Sequence, residues 1–211
     1  MIDLYTWSTP NGYKASIALE EMGLDYTTHP INIMKDEQFQ PHFLKVSPNN
    51  KIPAILDTDN NYPLFETGAI LLYLAEKHGK FLNTKDRDAY WRTMEWLMWQ
   101  MGGFGPILGQ VHHFTKYNPG KSDYAQERYE TEARRLYRVL NERLEGREFI
   151  VDDYSIADMA CWPWAARHNW QEIDLNDYPN VRRWYMTMLD RPAVQRAWNI
   201  PENDQPLPIP E

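Results

Sequence analysis

The chain is predicted to fold as a small α/β domain followed by an all-helical domain, and three observations carry that prediction. Over residues 1–80, short apolar-polar alternations and helically spaced apolar stretches follow one another in the order β-α-β and then β-β-α. From Asn83 onward the alternation disappears and apolar residues recur three and four apart, as at Tyr90, Met94, Leu97 and Met101. Of 211 residues, 43% are hydrophobic and 14% aromatic, a composition that buries a core and excludes a disordered chain. The expected organisation is a domain over residues 1–80, a helical domain over 86–200 and an extended proline-rich tail over 201–211.

Ile2-Asp3-Leu4-Tyr5-Thr6 alternates as a strand. Ala15, Ala18, Leu19 and Met22 then share a helical face that Gly23 stops. Tyr26 to Asn32 reads as a second strand, reached by a right-handed crossover and therefore parallel to the first. After a polar segment, Lys35 to Phe43, the pair Ala54-Ile55-Leu56 and Tyr62-Pro63-Leu64-Phe65 flanks Asp57-Thr58-Asp59-Asn60-Asn61, a turn-rich sequence suited to an antiparallel hairpin. Ala69 to Lys77 closes this unit as a helix. Thioredoxin-like folds have this order of elements.

In the second half, Ala133, Leu136, Leu140 and Leu144 form an apolar stripe, with Glu127, Arg128, Glu130, Arg134, Arg135 and Arg138 on solvated faces. Ser155-Ile156-Ala157-Asp158 fits a capping box, in which the serine caps the helix and the acid reaches back. Ala160 to Trp170 is apolar on every side and reads as a core helix. Pro179 to Leu189 is a further helix, and Pro192 starts a short one.

The net charge of -8 repels phosphate, which argues against nucleic acid or an anionic membrane as a general partner. The single cysteine, Cys161, cannot form an internal disulfide, and the opening residues do not resemble a signal peptide. The longest apolar stretch, Ala69 to Ala75, is too short to span a bilayer, so a soluble protein of the reducing cytoplasm is expected.

Three segments carry candidate chemistry. In Ser47-Pro48-Asn49-Asn50-Lys51-Ile52-Pro53, the proline stands at the entrance of a strand, because it cannot donate to a central ladder. A cis Ile52-Pro53 bond would turn the Ile52 backbone outward to pair with a ligand's peptide group. In Glu66-Thr67-Gly68-Ala69-Ile70, a hydroxyl and open N–H groups at a helix start suit a carboxylate, and Glu66 suits an ammonium. Taken singly, these are a strand-entry proline and an N-cap threonine. Trp7-Ser8-Thr9-Pro10-Asn11-Gly12-Tyr13 feeds the first helix, whose positive end points at whatever binds. Thioredoxin-like proteins that use their own thiol carry cysteine at such a helix start, whereas this loop offers hydroxyls and an amide, so the reactive thiol must come from a ligand. The ordinary reading of Thr9 is again a helix cap.

Taken in order, these segments and Ser155-Ile156-Ala157-Asp158 resemble the motifs of cytosolic glutathione transferases over nearly the whole chain. Thr9-Pro10-Asn11-Gly12, Gln100-Met101-Gly102-Gly103-Phe104-Gly105-Pro106, Gln110-Val111-His112-His113-Phe114 and Glu127-Arg128-Tyr129 look like the bacterial Nu class, which are glutathione-dependent disulfide-bond oxidoreductases. The resemblance implies a thioredoxin-like N-terminal domain, an all-α C-terminal domain and a homodimer, with glutathione bound as two molecules or as one disulfide per site. It implies that Thr9 and Asn11 contact the sulfur, that Ile52, ahead of Pro53, pairs with the cysteinyl backbone, and that Glu66 and Thr67 hold the γ-glutamyl end. Gln38, Lys51 and Arg128 would hold the remaining carboxylates. Thr67 stands where the family usually has serine, and the catalytic tyrosine, serine or cysteine of other classes has no counterpart except Ser8 or Thr9. Disulfide reduction is therefore the expected activity, with conjugation or peroxide reduction on weaker footing. A non-catalytic regulatory protein that keeps the fold is the competing reading.

Other signals read as structure. Gly120-Lys121-Ser122 lacks the first glycine of a phosphate loop. His112 and His113 are adjacent on a helix and point apart, which disfavours a shared metal. Trp7, Phe104 and Phe114 suit either a pocket roof or the core, and Cys161, among tryptophans, reads as buried and inert.

Overall fold

The structure, a computed structural model, describes residues 1–210 and divides into two compact units. The first comprises Met1–Leu82 together with Leu189–Leu207, and the second Asn83–Met188 with the tail from Pro208.

The first unit is built on a four-stranded sheet of order β2-β1-β3-β4. Strand β1 (Ile2–Thr6) runs parallel to β2 (Tyr26–Pro30) and antiparallel to β3 (Ala54–Asp57), which forms a hairpin with β4 (Tyr62–Phe65). The crossover between β1 and β2 is α1 (Pro10–Met22). Proline at its first turn costs no hydrogen bond, the Thr9 hydroxyl accepts from the Gly12 N–H, and Gly23 closes it in the left-handed conformation with φ 65°. The polar segment after β2 holds two 3₁₀ turns, Ile33–Lys35 and Glu37–Phe39, and the single-turn α2 (Pro41–Leu44). Helix α3 (Thr67–His78) begins two residues earlier than the apolar spacing from Ala69 indicates.

Asp57, fully buried at the end of β3, accepts hydrogen bonds from Tyr73 Oη (2.5 Å) and Lys77 Nζ. Burial raises its carboxyl, but these two donors and the Asp59 N–H together hold it below the usual carboxylate range.

By packing, α9 (Pro192–Trp198) belongs with the sheet unit, whereas an 86–200 division would leave it with the other helices. Its apolar face of Ala193, Val194, Ala197 and Trp198 is buried, and the Trp198 ring stacks on Tyr13 of α1 at 4.4 Å between centroids. Arg191 makes a bidentate pair with Glu21 (2.5 and 2.9 Å), and Arg196 reaches Glu20 at 2.6 Å. These contacts join residues some 170 positions apart, which no local spacing rule encodes. Residues 199–210 form neither helix nor strand, and the Trp198 indole N–H donates to the Pro206 carbonyl.

The second unit is helical throughout: α4 (Arg87–Trp99), α5 (Gly105–His112), α6 (Asp123–Arg143), α7 (Ile156–Ala165) and α8 (Pro179–Leu189). Two π-helical turns, Gln100–Phe104 and His113–Tyr117, flank α5. The capping box at the start of α7 is present, and Asp158 also accepts from the Ile150 N–H (2.9 Å) and the Trp184 indole N–H (2.9 Å). Burial pushes the Asp158 carboxyl up to about 6 against these stabilising bonds. A second buried polar chain runs from Tyr137 Oη to Gln171 Oε1 (2.6 Å) and from Gln171 Nε2 to His112 Nε2 (3.1 Å). Phe104 is fully buried between Trp99 and Tyr137, so it belongs to the core and not to a pocket roof. No helix among the described residues is long and apolar enough to cross a membrane.

Candidate functional site

Strand register brings three of the sequence motifs to one end of the sheet. Tyr5 pairs with Ala54, and Ala54 with Phe65. The end of β1, the start of β3 and the end of β4 therefore lie side by side, and with them the Trp7-to-Pro10 loop, Ile52-Pro53 and Glu66-Thr67. Because β2 is parallel to β1, with Thr6 opposite Pro30, the segment carrying Gln38 leaves the sheet at the same end.

Thr9 is half-buried at the N-cap of α1, and Gly12 is what allows the loop to close over it. A Cβ at Gly12 would stand 2.0 Å from the Trp7 carbonyl oxygen and 2.7 Å from the Thr6 hydroxyl, so only glycine lets α1 start this close to the loop. The Thr9 hydroxyl already accepts from the Gly12 N–H at 3.1 Å, which directs its own hydrogen elsewhere. Asn11 occupies the second helical position.

The Ile52-Pro53 bond is cis. The loop before it is fixed by a buried serine: Ser47 Oγ donates to the Lys51 carbonyl at 2.8 Å, and Asn50 takes the left-handed conformation, φ 48°, that asparagine tolerates. The Ile52 side chain packs on a buried cluster of Ile31, Phe43, Val46 and Ala54. Its backbone N–H and C=O make no hydrogen bond to the described residues. Lys51 is exposed. Gln38 is half-buried, its amide N–H 3.4 Å from Asp36 and its carbonyl oxygen buried without a partner among the described residues.

At the start of α3, the N-cap is Glu66 and not the threonine. Glu66 is exposed, with φ 72° and ψ 118°, and its side chain makes no capping bond. Residues other than glycine persist in such a conformation where surroundings enforce it, and these outliers concentrate at binding sites. Thr67, the first helical residue, is buried, and its hydroxyl is 3.5 Å from the ammonium of Lys14 on α1. Lys14 is 2% exposed and was not singled out by the sequence; a lysine among apolar positions of an otherwise buried helix face is the signal that could have found it.

In the second unit, Arg128 is exposed on α6 and lines a groove of about 600 Å³ with Ile107, Tyr124, Tyr129, Glu127 and Glu132. Cys161 lies in α7, in no disulfide and fully buried.

Residues 1–76 match the family model of the glutathione S-transferase N-terminal domain and residues 104–192 that of the glutathione S-transferase C-terminal domain. The chain belongs to the glutathione S-transferase family. It is 52% identical to the disulfide-bond oxidoreductase YfcG of Escherichia coli over 93% of this chain and 94% of that protein. It is 40% identical to the disulfide-bond oxidoreductase YghU of the same organism, over 98% and 77%. Among solved structures, a glutathione transferase from Pseudomonas putida with one glutathione disulfide bound per subunit superposes with a TM-score of 0.89 at 43% identity, covering 95% of this chain and 91% of that one. One from Burkholderia graminis with two glutathione molecules per subunit gives 0.89 at 41% identity, covering 96% and 89%.

Proposed function

We propose that the protein is a glutathione-dependent disulfide-bond reductase in which bound glutathione supplies the reactive sulfur. The carrying observation is the pairing of a thiol-free helix start at Thr9 with a lone cysteine that is fully buried in the helical unit. The crystallised relatives with glutathione or its disulfide bound support the choice of ligand.

In this reading the Ile52 backbone pairs with the cysteinyl peptide group, Glu66 and Thr67 hold the γ-glutamyl end, and Gln38, Lys51 and Arg128 hold the remaining carboxylates. The thiol is then presented to Thr9 and Asn11. A free thiol ionises near pKa 8.5, and lowering that by two units requires about 2.7 kcal/mol of preferential thiolate stabilisation. A hydrogen bond to a charged acceptor contributes about 1.5–3 kcal/mol, so the Thr9 hydroxyl, the Asn11 amide and the positive end of α1 together suffice.

The thiolate attacks one sulfur of the substrate disulfide, forming a mixed disulfide and expelling the other sulfur as a thiolate. A second glutathione attacks the mixed disulfide, releasing the reduced substrate and oxidised glutathione, so two electrons pass from two glutathiones to one disulfide. We also propose a homodimer in a reducing cytoplasm, consistent with the family resemblance and the single sequestered cysteine. Sedimentation of the purified protein tests the dimer. The ligand assignment is tested by titrating the thiolate absorbance of glutathione bound to the protein. A bound thiol pKa near 6.5 is expected, and one that stays at about 8.5 rejects the mechanism.

A further inference from the structure

We infer that Lys14 is a positioning residue for the carboxylate site at the start of α3, acting through the Thr67 hydroxyl. The inference rests on the glutathione-binding reading above and adds a residue to it.

Lys14 lies in the middle of α1 and is 2% exposed, and its ammonium reaches Thr67 Oγ1 at 3.5 Å. Removing an ammonium from water is costly, and such a charge is kept where it faces an anion or a set of acceptors. Thr67 stands between this charge and the open first turn of α3, whose N–H groups and dipole favour a carboxylate. A hydroxyl that accepts from an ammonium becomes a better donor through its own hydrogen, because hydrogen bonds in a chain polarise one another. Lys14 thus puts positive potential behind the Thr67 hydroxyl and the first turn of α3 from the protein's interior, where solvent screens it little. The same contact ties α1, which carries Thr9 and Asn11, to α3, which carries Thr67, so the sulfur end and the γ-glutamyl end of the ligand share one rigid support.

The consequence is specificity for the γ-glutamyl α-carboxylate, read as a preference for glutathione over an analogue with that carboxylate amidated. In Lys14→Met, glutathione affinity measured by calorimetry should fall about tenfold, which is 1.4 kcal/mol. Affinity for the amide should stay within about twofold, so the preference collapses, and Lys14→Arg should restore most of it. Parallel weakening of both ligands, or an unchanged preference, overturns the inference. A second measurement uses the unmutated protein with ¹⁵N-labelled lysine. The Lys14 ammonium resonance should move on adding glutathione and stay nearly fixed on adding the amide, and equal shifts with both ligands overturn the inference independently of any folding defect in the variants. If the unmutated protein binds neither ligand, the ligand assignment itself fails; if it binds both and only the Lys14 readouts are flat, the assignment stands and this inference alone falls.

Discussion

Gly12 meets the Trp7 carbonyl at a distance that no residue with a Cβ at position 12 could accommodate, since that Cβ would lie 2.0 Å from the carbonyl oxygen. The atom in the way is backbone, so no side-chain rotation relieves the overlap. Gly12→Ala should therefore push the start of α1 away from the loop, destabilise the first unit by about 1–3 kcal/mol, and reduce kcat/KM more than tenfold by displacing Thr9. Urea unfolding and steady-state kinetics on the same preparation check both effects.

Thr9 caps α1 and, in the proposed mechanism, also contacts the thiolate, so one substitution removes both. Thr9→Val removes the cap on the Gly12 N–H, a loss of about 1 kcal/mol in stability, and also removes the hydroxyl assigned to the thiolate. Its kcat/KM for disulfide reduction should fall about 10- to 100-fold, in line with one charge-assisted hydrogen bond. Thr9→Ser keeps both duties and should stay within about threefold. Equal activity in all three proteins would remove Thr9 from the mechanism.

His112 makes stability depend on pH. Burial, with the Arg167 guanidinium adding to it, depresses the imidazole pKa to about 4, and the ring stays neutral as acceptor of the Gln171 amide. The unfolded chain binds a proton near pH 6.5 and the folded one near pH 4, so this contribution is fully present above pH 6.5 and is lost as pH falls toward 4. From pH 7 to pH 5 the loss should be about 2 kcal/mol at most. Asp158, whose carboxyl is raised to about 6, tilts the same range the other way by less, so denaturant midpoints should rise with pH in the unmutated protein and should rise less, or fall, in His112→Gln.

Asp158 is a fully buried acceptor that ties α7 to Ile150 and Trp184. Asp158→Ala would strand the Ile150 N–H and the Trp184 indole N–H in the core and open the capping box of α7. A loss of about 3–5 kcal/mol is expected, measured as a shift in thermal midpoint.

Much of this architecture is legible in the sequence because it is local. The alternation of Ile2 to Thr6, the turn residues of Asp57 to Asn61 and the Ser155-Asp158 spacing each dictate their structure within a few residues. The place of Pro53 at a strand entrance is local in the same way, and it allows the cis bond found there without requiring it. What stayed hidden depends on long-range packing. Lys14 meets Thr67 across 53 positions, and α9 reaches α1 through Tyr13 and Trp198. The π-helical turns at Gln100–Phe104 and His113–Tyr117 were also hidden, because five residues are too few for apolar spacing to distinguish i→i+5 from i→i+4 pairing. The sequence places Glu66 at a helix start, but its role as the residue that turns with positive φ, leaving Thr67 inside the helix, follows from tertiary enforcement and not from its side chain.

The most direct test of the central claim, that the reacting sulfur belongs to the ligand, is the rate at which Cys161→Ala reduces a small glutathione mixed disulfide in the presence of glutathione, with the variant confirmed folded. The account predicts a rate within about twofold of the unmutated protein, since Cys161 is fully buried in α7 and takes no part in the chemistry. Collapse of that rate in a folded variant would contradict it.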